Sequence, residues 1–161
     1  MDKEFEIVPI NKKHKTAARK LLENEWSSTK VVTNGKVNDY RSLPGYIAVK
    51  GGKLAGMITF NISGKQCEII TLNSLAEGEG IAGELIEKVK ETAKEKGCLS
   101  VRLITTNDNT KAIRYYQKRG FSLIGVHINA VNKSRELKPE IPLTGSDGIP
   151  ILHEFEFEIL I

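Results

Sequence analysis

The sequence predicts an α/β (α+β) fold: a mixed, mostly antiparallel sheet of about seven strands, flanked by helices and containing one β–α–β crossover. Three observations carry this expectation. Tyr46 to Lys50 and Leu54 to Ile62 are strand-like runs joined by Gly51-Gly52, a dipeptide suited to a two-residue hairpin turn. The stretch from Cys67 passes through Ile69, Ile70 and Leu72, then a glycine-rich turn, then a helix with an apolar stripe, then a further strand from Leu99 to Thr105. Finally, Leu152 to Leu160 alternates His153, Phe155, Phe157 and Ile159 with Glu154, Glu156 and Glu158, so one face is expected to be core and the other wet or lining an open surface.

Taken in order, Glu4 to Ile10 reads as a first strand. Asn11 can cap a helix running to about Trp26, with Ala17, Ala18, Leu21 and Leu22 at the spacing of a buried stripe. Trp26 to Leu43 is polar, contains Asn34-Gly35 and shows no clean period, so it is expected to be a loop with room for a short helix. Pro44-Gly45 ends it, and the hairpin follows. Ser63-Gly64-Lys65 turns the chain into the strand that holds Glu68. The next helix, from about Gly80 to Lys96, carries Ile81, Leu85, Ile86, Val89 and Ala93 on one side and stops at Gly97. Asn107-Asp108-Asn109 is expected to cap a short helix, Lys111 to Arg119, which Gly120 ends. Phe121 to Asn129 is a strand, Ala130 to Glu136 one or two helical turns, and the proline- and glycine-containing stretch up to Pro150 a loop.

The chain has 161 residues, which favours one domain spanning residues 1–161. Its 40% hydrophobic and 27% charged content is that of a globular protein, and a chain of this length buries roughly 70% of its unfolded surface. The net charge of +4 is mild, with acids and bases interspersed, which argues against a nucleic-acid partner. No apolar run follows Met1-Asp-Lys-Glu and none reaches membrane-spanning length, so neither a secretory leader nor a membrane partner is expected. Cys67 and Cys98 lie in strand-like runs and are expected to be reduced core residues, with the cytoplasm as the default location. His127 and His153 fall on the last two strands, but nothing supplies a third ligand, so no metal is expected. A homodimer is the default oligomeric state.

A strand feeding a glycine loop at a helix N-terminus has two readings, a cradle for a phosphate or pyrophosphate and an ordinary tight β–α connection. Gly78, Gly80 and Gly83 alone leave both open.

Two separated motifs agree in order and spacing. The first runs from Leu72 through Glu77-Gly78-Glu79-Gly80-Ile81-Ala82 to Gly83 and beyond. The second runs from Asn109 to Phe121, with Ala112, Tyr116 and Gly120 between. Together they resemble the GCN5-related N-acetyltransferase (GNAT) superfamily. Its pyrophosphate loop has the form Gln/Arg-x-x-Gly-x-Gly/Ala, and its second landmark has the form Asn-x-x-Ala-x-x-x-Tyr-x-x-x-Gly-Phe. The second is filled at every position, whereas Glu77 stands where the family usually has glutamine or arginine, and Glu79 where a basic residue is common. Carboxylates close to a pyrophosphate are electrostatically unfavourable but suit a bare helix N-terminus. The acids are therefore expected to point outward and the backbone to do the holding.

The resemblance implies transfer of an acetyl group from acetyl-coenzyme A, as co-substrate, to an amine of a small molecule or peptide. It implies that Tyr116 is the general acid toward the leaving thiolate, and that Glu68 matches a strand glutamate used as base in some members. Leu72, Ser74, Glu77, Gly78, Glu79, Gly80, Ile81, Ala82, Gly83, Asn109 and Tyr116 fall at the cofactor-binding positions. Bland roles stand beside these: core packing for Tyr116, helix capping for Asn109, and a locally satisfied carboxylate for Glu68. Trp26, Tyr46 and Asn73 are candidates for the acceptor site, with Arg41 nearby in sequence. A cationic acceptor and a solvated strand face are the two readings of Glu154, Glu156 and Glu158. A non-catalytic acyl-coenzyme A sensor on the same fold is the alternative to an enzyme.

Overall fold

Apolar residues spaced two apart build the strands, and glycines with positive φ reverse the chain between them. Gly51 and Gly52 have φ of 56° and 75°, which is why a Gly-Gly pair joins β4 (Gly45–Lys50) to β5 (Lys53–Ser63). The computed structural model describes residues 4–11, 17, 20, 30–33, 35–39, 43–75 and 78–161. The helix expected between Asn11 and Trp26 lies almost wholly outside the described residues, as do Trp26, Arg41 and Glu77.

The strands are β1 (Glu6–Pro9), β2 (Lys30–Thr33), β3 (Lys36–Asp39), β4, β5, β6 (Gln66–Ser74), β7 (Ser100–Thr106), β8 (Ser122–His127) and β9 (Glu154–Leu160). The described helices are α1 (Ile81–Glu95), α2 (Thr110–Lys118) and α3 (Ala130–Leu137). Seven strands form one sheet in the order β1-β4-β5-β6-β7-β9-β8. Every neighbouring pair is antiparallel except β6 and β7, the parallel pair joined by the α1 crossover.

β2 and β3 form a separate antiparallel hairpin inside the stretch expected to be a loop. The Asn34-Gly35 dipeptide in the sequence was the available signal, and Gly35 has φ of 69°. The two strands are only four residues each, too short to show a period beside their polar neighbours.

The main core lies between the sheet and α1. Leu85, Ile86, Val89 and Ala93 of α1 pack with Ala48, Ile58, Phe60, Cys67, Ile69, Val101, Leu103 and Phe157. Tyr116 of α2 lies against Phe121 and Phe157, so α2 shares the α1 side of the sheet. Both cysteines are free and buried.

The other face carries α3. The Ser134 hydroxyl donates to Glu154 at 3.2 Å, and Glu154 is 2% exposed. The glutamate face of β9 is therefore not the wet surface expected from its alternation. Arg102 is held between Glu158 (2.6 Å) and Glu156 (3.4 Å), and His127 lies 3.1 Å from Glu156. Long-range ion pairs and α3 cover what the sequence pattern presented as exposed.

Candidate active site

β6 and β7 run parallel, so the helices that follow them start at the same end of the sheet, where open α/β sheets bind their ligands. The two strands pair only from Gln66↔Ser100 to Ile69↔Leu103. β6 then continues to Ser74 and β7 to Thr106 with no recorded pairing between them. The facing edges of the two strands are unpaired with each other there, and the N-termini of α1 and α2 follow these unpaired strand ends.

A bulge in β6 precedes its unpaired end. Thr59 pairs with Thr71 and Phe60 with Ile69, so Ile70 is an extra residue in β6. Cross-strand partners share a face. Ile69, Leu72 and Ser74 therefore share the α1 face with Phe60, Ile58 and Gly56, while Glu68, Thr71 and Asn73 share the opposite face. On that face the Thr59 and Thr71 hydroxyls are bonded at 2.7 Å, and the Asn73 Oδ1 is a buried oxygen without a hydrogen-bond partner among the described residues.

The loop before α1 is shaped by Gly78 (φ 78°) and Gly80 (φ 76°), a conformation that side chains disfavour. No atom of the described residues crowds either position; the need for glycine is conformational. The Glu84 N–H donates to the Gly80 carbonyl at 3.1 Å and closes the first turn. The N–H groups of Ile81, Ala82 and Gly83 thus have no intrahelical acceptor and point out of the helix end. The sheet lets α1 approach closely through Gly56, where a Cβ would come within 2.7 Å of Ile81. Gly83 has its own reason: a Cβ there would meet the Arg119 guanidinium at 2.7 Å.

Glu79 is paired with a lysine rather than with those N–H groups. Its two carboxylate oxygens accept from the Lys50 ammonium at 2.8 and 2.9 Å, and Glu4 lies 3.2 Å from the same ammonium. These partners, Glu79 first, raise the Lys50 pKa.

α2 opens differently. Asn109 occupies the N-cap position, but its side chain makes no capping bond; its amide donates to the Thr105 hydroxyl at 3.3 Å. The capping role expected for that side chain is corrected here. Asp108 is engaged with Thr106, and the Thr110 N–H donates to the Asp108 carbonyl. Asn107 ties the turn to the chain entering β9: its amide donates to Pro150 O, and its Oδ1 accepts from the N–H groups of Leu152 and His153, all at 2.9 Å.

Tyr116 sits edge-on to Phe121 with ring centroids 5.7 Å apart. Burial, with a smaller contribution from Tyr115, pushes its phenol up to about 12, so it keeps its proton at neutral pH. Tyr115 instead meets Arg119 through its ring face, 5.7 Å away. Glu68 makes no hydrogen bond or ion pair within the described residues. Burial raises its pKa, Lys36 and Arg102 oppose the rise, and Glu156 and Glu154 add to it.

The structure places Glu68 and Asn73 on one face of β6 and Leu72 and Ser74 on the other, Gly78 to Gly83 in the turn into α1, Asn109 at the N-cap of α2, and Tyr116 near the C-terminal end of α2 against Phe121 and Phe157. It does not bring Tyr46 to that polar face. Tyr46 pairs with Ile58 on the α1 side, stacks on Phe60 and is bonded through its hydroxyl to Thr92 at 2.6 Å. Nothing local in the sequence marks Lys50, Lys36 and Arg102, whose partners lie far along the chain, and Asn107, expected as part of a helix cap, instead bonds Pro150, Leu152 and His153.

No three His, Cys, Asp or Glu side chains are grouped to hold a metal among the described residues. His127 and His153 take different partners: Glu156 for the first, and the Asn129 N–H for the second. No described helix is long and apolar enough to cross a membrane.

The whole architecture is that of solved acetyltransferases. The chain superposes on the IAA acetyltransferase from Bacillus cereus ATCC 14579 with a TM-score of 0.74 at 21% identity, covering 98% of this chain and 99% of that one. It superposes on a GNAT family acetyltransferase from Elizabethkingia anophelis with acetyl-CoA bound with a TM-score of 0.71 at 18% identity, covering 99% and 100%. A sequence relative, the uncharacterized protein YdhI of Bacillus subtilis (strain 168), is 40% identical over 156 residues, 96% of this chain and 98% of its own. The family model for the acetyltransferase (GNAT) family matches residues 13–121. The chain belongs to that family and is an acetyltransferase.

Proposed function

We propose that this acetyltransferase moves the acetyl group of acetyl-coenzyme A to an amine of a small molecule or peptide, with Glu68 as base and Tyr116 as acid. The observation that carries the reading is the pair of β6 and β7 ends, unpaired with each other and followed by two helix N-termini, one of them with a glycine loop and outward N–H groups. These features fit the co-substrate: backbone donors suit its pyrophosphate, and the unpaired edge of β6 suits its amide-bearing arm. The solved relative from Elizabethkingia anophelis has acetyl-CoA bound. When bound, the co-substrate supplies the activated acetyl group as a thioester.

This chain's residues divide the remaining work. An amine attacks only when neutral, so a base must take its proton. Glu68 is unpaired among the described residues and half-buried, and its raised pKa improves it for that task. Tyr116 holds a proton that it can give to the departing sulfur. Leu72 lies on the edge of β6 freed from β7, where its backbone N–H can stabilise developing negative charge on the carbonyl oxygen. Asn73, on the Glu68 face, is placed to contact the acceptor.

Titrating the protein with acetyl-coenzyme A tests the reading, followed by an amine panel that spans polyamines, aminoglycosides and peptide N-termini. A rise in Tm with added acetyl-coenzyme A and formation of one acetylated amine are expected. No thermal shift at millimolar acetyl-coenzyme A refutes it.

A further inference from the structure

The Lys50–Glu79 ion pair has no counterpart in the chemistry just described, and it lies where an acid is least expected. Glu79 stands between Gly78 and Gly80, the two glycines whose positive φ angles shape the loop. A free carboxylate at that position would repel the pyrophosphate of the co-substrate. Its two oxygens are instead both taken by Lys50, at the end of β4 and 29 positions away in the chain.

The pair sits at the solvent boundary, with the Lys50 side chain 37% exposed and that of Glu79 35% exposed. Such a pair contributes little to folding stability, so stability is a poor account of its bidentate geometry. Glu4, 77% exposed, shares the ammonium from the rim. One lysine thus faces two glutamates, and the N–H groups of Ile81, Ala82 and Gly83 remain free for an anion.

We infer that Lys50 is a positioning residue for co-substrate binding: it holds and neutralises the Glu79 carboxylate, which makes an acidic loop able to accept a pyrophosphate. The inference rests on the proposed use of acetyl-coenzyme A. Lys50 acts through Glu79 rather than on the ligand, and a double-mutant cycle separates the two modes.

The experiment measures the Kd of coenzyme A by calorimetry for wild type, Lys50→Met, Glu79→Gln, the double variant and Lys50→Arg, each with its ligand-free Tm. Lys50→Met is expected to weaken binding about five- to tenfold, because it leaves the carboxylate unpaired beside the pyrophosphate. The double variant is expected to return to within about twofold of wild type, since the carboxylate that needed neutralising is gone. Lys50→Arg keeps the positive charge and is expected to keep the affinity. All five ligand-free Tm values should agree closely, and the Lys50→Met deficit should shrink in high salt. A double variant as weak as Lys50→Met overturns the inference, for Lys50 would then be contacting the ligand itself. Wild-type affinity in Lys50→Met also overturns it. In both cases wild type still binds, so the proposed function survives; a wild type that does not bind coenzyme A overturns both.

Discussion

The two helix starts at the open end of the sheet solve the same problem by different means. The β6–α1 turn is built from glycines and presents backbone, with Gly78 and Gly80 at positive φ and no side-chain cap. The β7–α2 turn is built from Asn107, Asp108 and Asn109 and works through side chains reaching Pro150, Leu152, His153, Thr106 and Thr105. The difference teaches where identity matters. A backbone cradle tolerates unusual side chains provided their charge is answered elsewhere, as Lys50 answers Glu79. A side-chain turn has no such freedom, because each amide or carboxyl group has its own partner.

The largest expected effect tests the chemistry beside the side-chain turn. Tyr116→Phe should lower kcat about 100-fold or more, the range for losing a general acid, while Tm changes little because the ring still packs on Phe121 and Phe157. An unchanged kcat in steady-state assays would remove Tyr116 from the chemistry.

Next is the backbone turn itself. Gly80→Ala forces a side chain into a left-handed conformation that costs about 1–2 kcal/mol, and the loop can escape only by re-aiming its N–H groups. The Kd of coenzyme A should rise about tenfold. If it does not, the cradle is not where the affinity resides.

Glu68→Gln should cut turnover about tenfold at neutral pH and flatten the acid limb of the pH–rate profile. A base works only when ionised, and burial holds the Glu68 pKa above the ordinary carboxylate range. Wild-type activity should therefore fall, as pH drops, at a higher pH than an ordinary glutamate would give. Stability runs the other way. The ionised form is penalised in the folded state, so the penalty is absent below the unfolded-state pKa and complete above the raised folded value. The glutamine variant should thus melt no lower than wild type at pH 7.

The smallest effect separates structure from binding. Asn107→Ala removes three side-chain hydrogen bonds and should lower stability by about 1–2 kcal/mol in urea unfolding, with the Kd of coenzyme A unchanged.

Elements with a strong local period were readable. The α1 stripe of Leu85, Ile86, Val89 and Ala93 and the Gly51-Gly52 hairpin stand as expected. Features that depend on distant partners were not. The hairpin of β2 and β3 has too little apolar sequence to announce itself, and its two short strands pair only with each other. The alternation in β9 told which residues share a face but not that α3 and Arg102 would cover the glutamates. The positions of Gly78, Gly80 and Tyr116 were visible as spacing, whereas the partner of Glu79 was not, since 29 residues separate it from Lys50. Tyr46 shows the limit of proximity in sequence: strand parity puts it under α1, away from Asn73.

Ile70 carries the broadest consequence. Glu68 and Asn73 are five residues apart, an odd number, which in a regular strand sends them to opposite faces; the bulge leaves Ile70 out of the pairing and makes the count even. Position 70 therefore contributes length before it contributes any chemistry. Deleting it would straighten β6 and leave Thr71 to Ser74 on the faces they already occupy, whereas pairing it as an ordinary strand residue would turn them inside out, exchanging the residues offered to the helix with those offered to the acceptor. The catalytic arrangement is in this sense a matter of counting. The faces of β6 depend on the bulge that leaves Ile70 out of the pairing rather than on the side chain at that position.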